Sequence, residues 1–343
     1  MSATIRDVAE RAGVGLATVS RVVNNSPLVS PATRQRVLNV IAELRYTPHQ
    51  AARSLSLGKT LTVTTIAPFF TRPSVVERLR GVEANLADSG YQLIVCNVET
   101  VERRDICLRD LPRKERSDGV LIISLAPHPE EVTALQQPGV AVVLIDTYVA
   151  GMTCVFIDDQ QGGYIATRHL LDLGHERIAY ISDPLTDPFN FTSSRDRYAG
   201  YRQALTDAGM PFCESYHRSG MHGRYEARRL ATELLSLDRA PTAIFAASDT
   251  QALGVLEAAH DIHLRVPDDL SVIGYDDIEI AEYLGLTTIR QPLFETGARG
   301  VELLLERLGN LDTDPVSERM PVELVIRRTT AAPRKLSSDA ERR

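Results

Sequence analysis

Residues 11–25 read RAGVGLATVSRVVNN. Between Leu16 and Asn24 the valines Val19, Val22 and Val23 fall on one side of a helix, leaving Leu16, Ala17, Ser20, Arg21 and Asn24 on the others. Just upstream, TIRDVAERAGV spaces Ile5, Val8, Ala9 and Ala12 for a helix, with Thr4 as its N-cap and Gly13 as its break. Two short helices joined by a glycine-containing turn make a helix-turn-helix pattern. Downstream, VSPATRQRVLNVIAELRY predicts a third helix, capped by Ser30, with Pro31 in its first turn and Val37, Leu38, Ile41 and Leu44 as its apolar stripe. This outline fits a generic three-helix bundle as well as it fits a nucleic-acid reader, so charge has to decide.

The whole chain of 343 residues carries a formal charge of −7, but the charge is divided unevenly. Up to Lys59 there are eight basic residues against Asp7, Glu10 and Glu43, a net +5, so the remainder carries −12. A basic head on an acidic body suits a polyanion that the head attracts and the body repels. The length exceeds the roughly 250 residues at which single cores stop growing, so more than one domain is expected. With 43% hydrophobic and 24% charged residues the composition is globular.

Cys96, Cys107, Cys154 and Cys213 form no CxxC motif and are expected to be buried thiols in a reducing cytoplasm. There is no apolar run of membrane-span length, and MSATIRDVAERAG lacks the apolar core of a secretion signal, so the expected location is the cytoplasm.

After Pro48 comes HQAARSLSLGKT, helix-prone but too short to hold a helix alone against the cost of nucleation. Beyond it, apolar strands alternate with amphipathic helices: LTVTTIAPF, VVERLRGVEANLADSG, YQLIVCNV, DGVLIIS and AVVLID. The rhythm restarts at CVFIDDQQGGYIATRHLLDLGHERIAYISD and runs through TAIFAAS, SVIGYDD and PVELVIRR. This βαβ order predicts two successive doubly wound lobes with parallel sheets. Ligands of such folds sit beyond the carboxyl ends of strands, where Asp146, Asp249 and Asp276 are found. Their carboxylates can accept from sugar hydroxyls or purine donors, and the guanidinium fork of Arg197 can clamp oxygens. Asp249 fits equally well as the cap of the following helix.

From Thr4 to Thr60, with ATVSRVVN as the most specific part, the chain resembles the DNA-binding headpiece and hinge of the lactose repressor (LacI/GalR) family. LLDLGHERIAYI, SRDRYAGYRQAL, PTAIFAASDTQALGVLEAA, VPDDLSVIGYDD and LTTIRQP are similar, in the same order, to that family's effector domain, which shares its fold with periplasmic sugar-binding proteins. The resemblance implies an all-α helix-turn-helix headpiece at 1–47, a hinge at 48–60, a two-lobed α/β effector and dimerisation domain at 61–330, and a polar tail at 331–343. It further implies a homodimer on palindromic operator DNA, controlled by a sugar or related effector, with no cofactor.

By that resemblance Arg21 donates to a guanine edge, and Leu16 and Ala17 make apolar contacts in the major groove. Thr18, Ser20 and Asn24 hold phosphates or the helix itself, and Thr4 joins this DNA-binding set. Leu55, beside Ala52, is the wedge for the minor groove. Asp146, Arg197 and Asp276 match effector-contacting positions, joined by Ser248, where some relatives have Asn, and by Asp249 and Phe70. Gly15 replaces a usual Ser and His49 a usual Asn, and PFFTRPSVVERLRG is longer than its counterparts.

Enzyme readings are weaker. GVGLAT lacks a preceding strand and the third glycine of a dinucleotide fingerprint. The pairs His169/His175 and His217/His222 do not have a helical metal spacing. A sugar carrier on the same fold would be expected to carry a secretion signal and no basic head.

Overall fold

Thr4 opens the first helix, α1 (Ile5–Ala12), by a reciprocal cap: its hydroxyl accepts from the Asp7 amide, and its own amide donates to the Asp7 carboxylate at 2.7 Å. The computed structural model that contains it describes residues 3–24, 26–46, 58–136 and 139–334. Ala52, Leu55 and nearly all of the expected hinge lie outside the described residues.

Gly13, at φ +62°, ends α1 in a left-handed conformation that costs glycine nothing. α2 (Leu16–Val23) and α3 (Pro31–Leu44) follow, the latter capped by Ser30 accepting from the Thr33 amide. Val8, Ala9, Ala12, Val19, Val22, Val37, Val40 and Tyr46 form the small core. Leu38 does not share it, being 43% exposed, and Val40 takes its place. At about 100° per residue, positions 37, 40, 41 and 44 share one arc and position 38 stands about 60° beyond its edge.

In the body, one sheet contains β1 (Thr62–Pro68), β2 (Gln92–Val98), β3 (Gly119–Ile123), β4 (Ala141–Ile145), β5 (Thr153–Ile157) and β11 (Ser317–Met320), all parallel, in the order β11-β5-β4-β3-β1-β2. The other contains β6 (Ile178–Ser182), β7 (His217–Ser219), β8 (Ala243–Ala246), β9 (Ser271–Asp276), β10 (Thr287–Arg290) and β12 (Glu323–Val325) in the order β12-β10-β9-β8-β6-β7. Only β12 runs antiparallel there. Each sheet buries an apolar cluster on both faces, as a doubly wound lobe must.

The lobes are not successive. The chain leaves lobe one after β5 but returns with α12 (Leu293–Gly309), which packs on α4 (Pro73–Leu86), and with β11, which extends the first sheet beside β5. It then crosses back to add β12 to the second sheet. Val301 and Leu304 of α12 complete the core around Val63, Leu121 and Val143, so the return is driven by apolar burial. At the far end, the Ala331 carbonyl accepts from His175 at 2.8 Å and its amide donates to Ser271 at 3.0 Å, so the body extends at least one residue into the expected tail. Cys96, Cys107 and Cys154 are buried, whereas Cys213 is exposed, contrary to expectation.

Candidate functional site

Two places gather the expected functional residues. On α2 the buried Val19 and Val22 hold the helix to the headpiece core. That leaves Leu16, Ala17 and Arg21 exposed, with Thr18, Ser20 and Asn24 half-buried at the margins. The Asn24 amide group donates to the Ser20 hydroxyl at 3.5 Å. Gly15, where a serine would cap, starts α2 without a side-chain bond. Thr4 is committed to its cap, its hydroxyl also donating to Asp7 at 2.9 Å.

The second place is the cleft between the lobes, formed where strands of both sheets end. Phe69, Ser124 and Asp146 directly follow β1, β3 and β4, Asp276 ends β9, and Asp277 follows it; all five have positive φ, between 44° and 115°. A row of non-glycine residues in this conformation at strand ends is a costly arrangement of the kind found at binding sites.

A polar network crosses the cleft. Asp146 accepts from Ser124 at 2.7 Å and from the guanidinium of Arg78 on α4. Arg78 donates at 2.8 Å to Gln291, which lies between β10 and α12 and in turn donates to Asp276. On the other side Arg197 of α8 (Ser193–Asp207) donates to Asp159 at 2.7 Å and to the Ala247 carbonyl at 2.6 Å. It lies 3.6 Å from the centre of the Tyr275 ring and 3.7 Å from the Asp276 carboxylate.

Asp159 begins α7 (Asp159–Asp172), and this pairing depends on how closely α7 and α8 cross. A Cβ on Gly200 would stand 2.0 Å from the Gln160 carbonyl, and one on Gly163 2.2 Å from that of Arg197. Burial pushes the Asp159 carboxyl up to about 6 in spite of Arg197. It also raises Asp276, which Arg197 and then Arg78 pull back.

Further along, Asp183 accepts from Gln251 at 2.9 Å and faces His222 at 3.2 Å. Phe191 lines the same cleft and stacks on Phe189, which in turn meets Phe69. Asn190, from the loop after β6, donates to the Ala126 carbonyl of lobe one at 3.0 Å and so ties the lobes together. About 70 Å³ remains between the lining groups, far below the ~300–1,000 Å³ of ordinary small-molecule sites.

Asp146, Arg197, Ser248 and Asp276 are thus brought together, whereas Asp249 and Phe70 are not. Asp249 is fully buried, one carboxylate oxygen accepting from Thr288 at 2.6 Å and the other from the Ile278 amide at 3.0 Å. The capping role open to it falls to Ser248, which accepts from the Gln251 amide at the start of α10 (Asp249–Asp261). Phe70 is 41% exposed, and the ring of Phe69 is the one that joins the aromatic cluster.

Sequence reasoning missed Arg72, Arg78, Ser124, Asp183, His222 and Gln291 in this cleft. Ser124 and Asp183 carry the same strand-end signal as Asp146, whereas Arg78 sits mid-helix in VERLRG and looks like any solvated arginine.

Comparison with known proteins follows this geometry. Residues 4–49 match the model of bacterial regulatory proteins of the lacI family, and residues 167–330 match a periplasmic binding protein-like domain. The ribose operon repressor of Escherichia coli (strain K12) is 37% identical over 330 residues, covering 94% of this chain and 97% of its own. Among solved structures, the lac repressor dimer bound to operator and the anti-inducer ONPF is 29% identical at a TM-score of 0.85, covering 97% of this chain and 100% of its own. A LacI family transcriptional regulator from Enterococcus faecium with bound ribose is 29% identical at a TM-score of 0.70, covering 79% and 99%. The exposed face of α2, the two-lobed body and these relatives together make the chain a member of the lacI family of bacterial regulatory proteins, a DNA-binding transcriptional repressor with an effector domain.

Proposed function

We propose that this repressor acts in the cytoplasm as a homodimer on a palindromic operator and answers to a sugar held between its lobes. The meeting of Asp146, Arg197 and Asp276 in one buried cleft carries the effector half of this reading, since such groups accept from and donate to hydroxyls. The ribose named for two of the similar proteins supports the sugar class.

The DNA half rests on Arg21, Leu16 and Ala17, which stand exposed on α2 with Thr18, Ser20 and Asn24 beside them as positioning groups. The headpiece ends by residue 47, and a hinge at 48–60, with Leu55 as wedge beside Ala52, joins it to the body. The edge strand β2 exposes Ile94 and Val95, and Val76 on α4 is also exposed; bare apolar edges invite a second copy. The lac repressor dimer supports that pairing. Binding and release account for the cleft without turnover of the ligand.

Gel shift of the full chain on a palindromic site tests both halves. Affinity should fall steeply with salt, as basic residues displace counterions from phosphate, and one sugar of a panel should change it. Salt-indifferent binding would overturn the DNA half. A panel without effect on operator affinity, together with turnover of any one sugar, would replace the regulator reading with an enzyme.

A further inference from the structure

Beyond Lys59 the chain carries −12, yet residues 109–116 read RDLPRKER, four cations against two carboxylates. They end the helix Val101–Asp110 and lead to the start of β3. The turn they make is fixed: the Arg113 carbonyl accepts from the amides of Arg116 at 2.7 Å and Ser117 at 3.0 Å, and the buried Ser117 hydroxyl meets that of Thr64 on β1. Arg113, Lys114, Glu115 and Arg116 are all exposed.

This is the end of lobe one at which the chain arrives from the headpiece. Asp118, just past the turn, accepts from the amides of Thr60 at 3.0 Å and Leu61 at 2.7 Å, and Lys59 stands exposed before them. Only residues 47–57 lie between Tyr46 of the headpiece and Gly58. Chain of that length reaches at most about 40 Å when extended and about 18 Å as a helix. DNA held by the headpiece is thereby kept near this end of the body.

The carboxylates at this end leave cations over. Asp110 accepts from Arg109 and pairs with Arg113, both at 3.2 Å, and lies in the field of Arg116, while Asp118 is turned to its two amides. Glu115 and Asp88, the latter between α4 and β2, are exposed and oppose the patch. Asp312 and Asp314, with Arg307 near them, precede β11, three strand spacings or about 14 Å from β3, beyond the ~8 Å over which charge acts in physiological salt. Lys59, Lys114 and Arg116 have no ion pair and no side-chain hydrogen bond among the described residues.

We propose that the turn at 113–116 is a second DNA-contacting surface, from which Lys114 and Arg116 neutralise backbone phosphates of the operator. The inference rests on the operator reading above and goes beyond it in giving the body, and not the headpiece alone, a share of the affinity. Contacts of this kind add strength without reading sequence.

The test uses the full-length protein, a duplex selected with it from a random pool, and a scrambled duplex of equal length, titrated by fluorescence anisotropy between 50 and 200 mM KCl. Lys114→Gln with Arg116→Gln should weaken both duplexes at least fivefold, keep their ratio within twofold, and lower the slope of log affinity against log salt by about 2. Glu115→Gln should tighten both at least twofold. Arg239→Gln is the control, because Arg239 is exposed before β8, where the strands of lobe two begin, and so lies across the cleft from the turn. It should change neither affinity nor slope.

An unchanged slope in the double variant, a loss confined to the selected duplex, or an equal loss in Arg239→Gln would overturn the inference and leave the operator reading standing. If the unaltered protein selects no duplex and binds DNA without regard to salt, the operator reading falls and the inference with it.

Discussion

On the headpiece, Arg21 stands exposed on α2, carried by a core of a few valines and alanines beneath it. In the body, Arg197 is 6% exposed, with Asp159, Asp276, the Ala247 carbonyl and the Tyr275 ring around it. The first arginine has no side-chain partner among the described residues, so its removal should leave the fold intact. The second is held by its own protein, and its removal exposes two buried carboxylates to each other. One residue type is therefore left open to solvent in one region and held in fixed order in the other.

The largest break in this comparison should come from Arg197→Met. With Asp159 and Asp276 left uncompensated, the body should lose about 3–5 kcal/mol of stability, read by urea unfolding, together with the response to effector. A loss below about 1 kcal/mol would mean that the network contributes little order. Arg21→Ala should show the opposite pattern, about 1–3 kcal/mol lost on the preferred operator with preference relaxed at one base pair per half-site. Its unfolding stability should stay within about 0.5 kcal/mol of the parent. An equal loss on all DNA sequences would make Arg21 a phosphate contact instead.

Thr4→Ala sharpens the contrast within the headpiece. Loss of the cap on α1 should cost about 1 kcal/mol of headpiece stability, measured by amide exchange in α1. Operator affinity falling far beyond that would show that Thr4 also touches DNA.

The smallest effect expected is a pH dependence. Burial raises Asp159 from 3.8 to about 6, so the folded body holds that proton more tightly than the unfolded chain does. The resulting stabilisation is fully present below about 4 and is lost as pH rises through about 6. Asp159→Asn should remove this contribution, so the stability of the parent relative to the variant should fall between pH 4 and 6. A rise over that range would show that Arg197 outweighs burial.

Much of this was legible because it is local. The capping of α1 by Thr4 and Asp7, the break at Gly13 and the inward Val19 and Val22 follow from spacing within a few residues. The same holds for Asp146 and Asp276, since apolar strands end in the residues that face a cleft. Leu38 was misjudged because a stripe written as residue types hides the angle at which each position stands. Asp249 was ambiguous for a deeper reason: a carboxylate after a strand looks the same whether it meets a ligand or, as here, Thr288 and the Ile278 amide.

By itself, then, the sequence determined the helix-turn-helix, the basic head, the βαβ rhythm and the strand-end aspartates, all set by backbone periodicity and the order of charges along the chain. Tertiary structure alone decided that α12 and β11 return to the first lobe, and that Arg78 meets Gln291 across 213 residues of chain. It also decided that His222 and Asp183 share the cleft with Arg197. The physical reason is that burial of apolar faces chooses the path of the chain, and the partner of a buried charge is whatever that path brings within hydrogen-bonding distance.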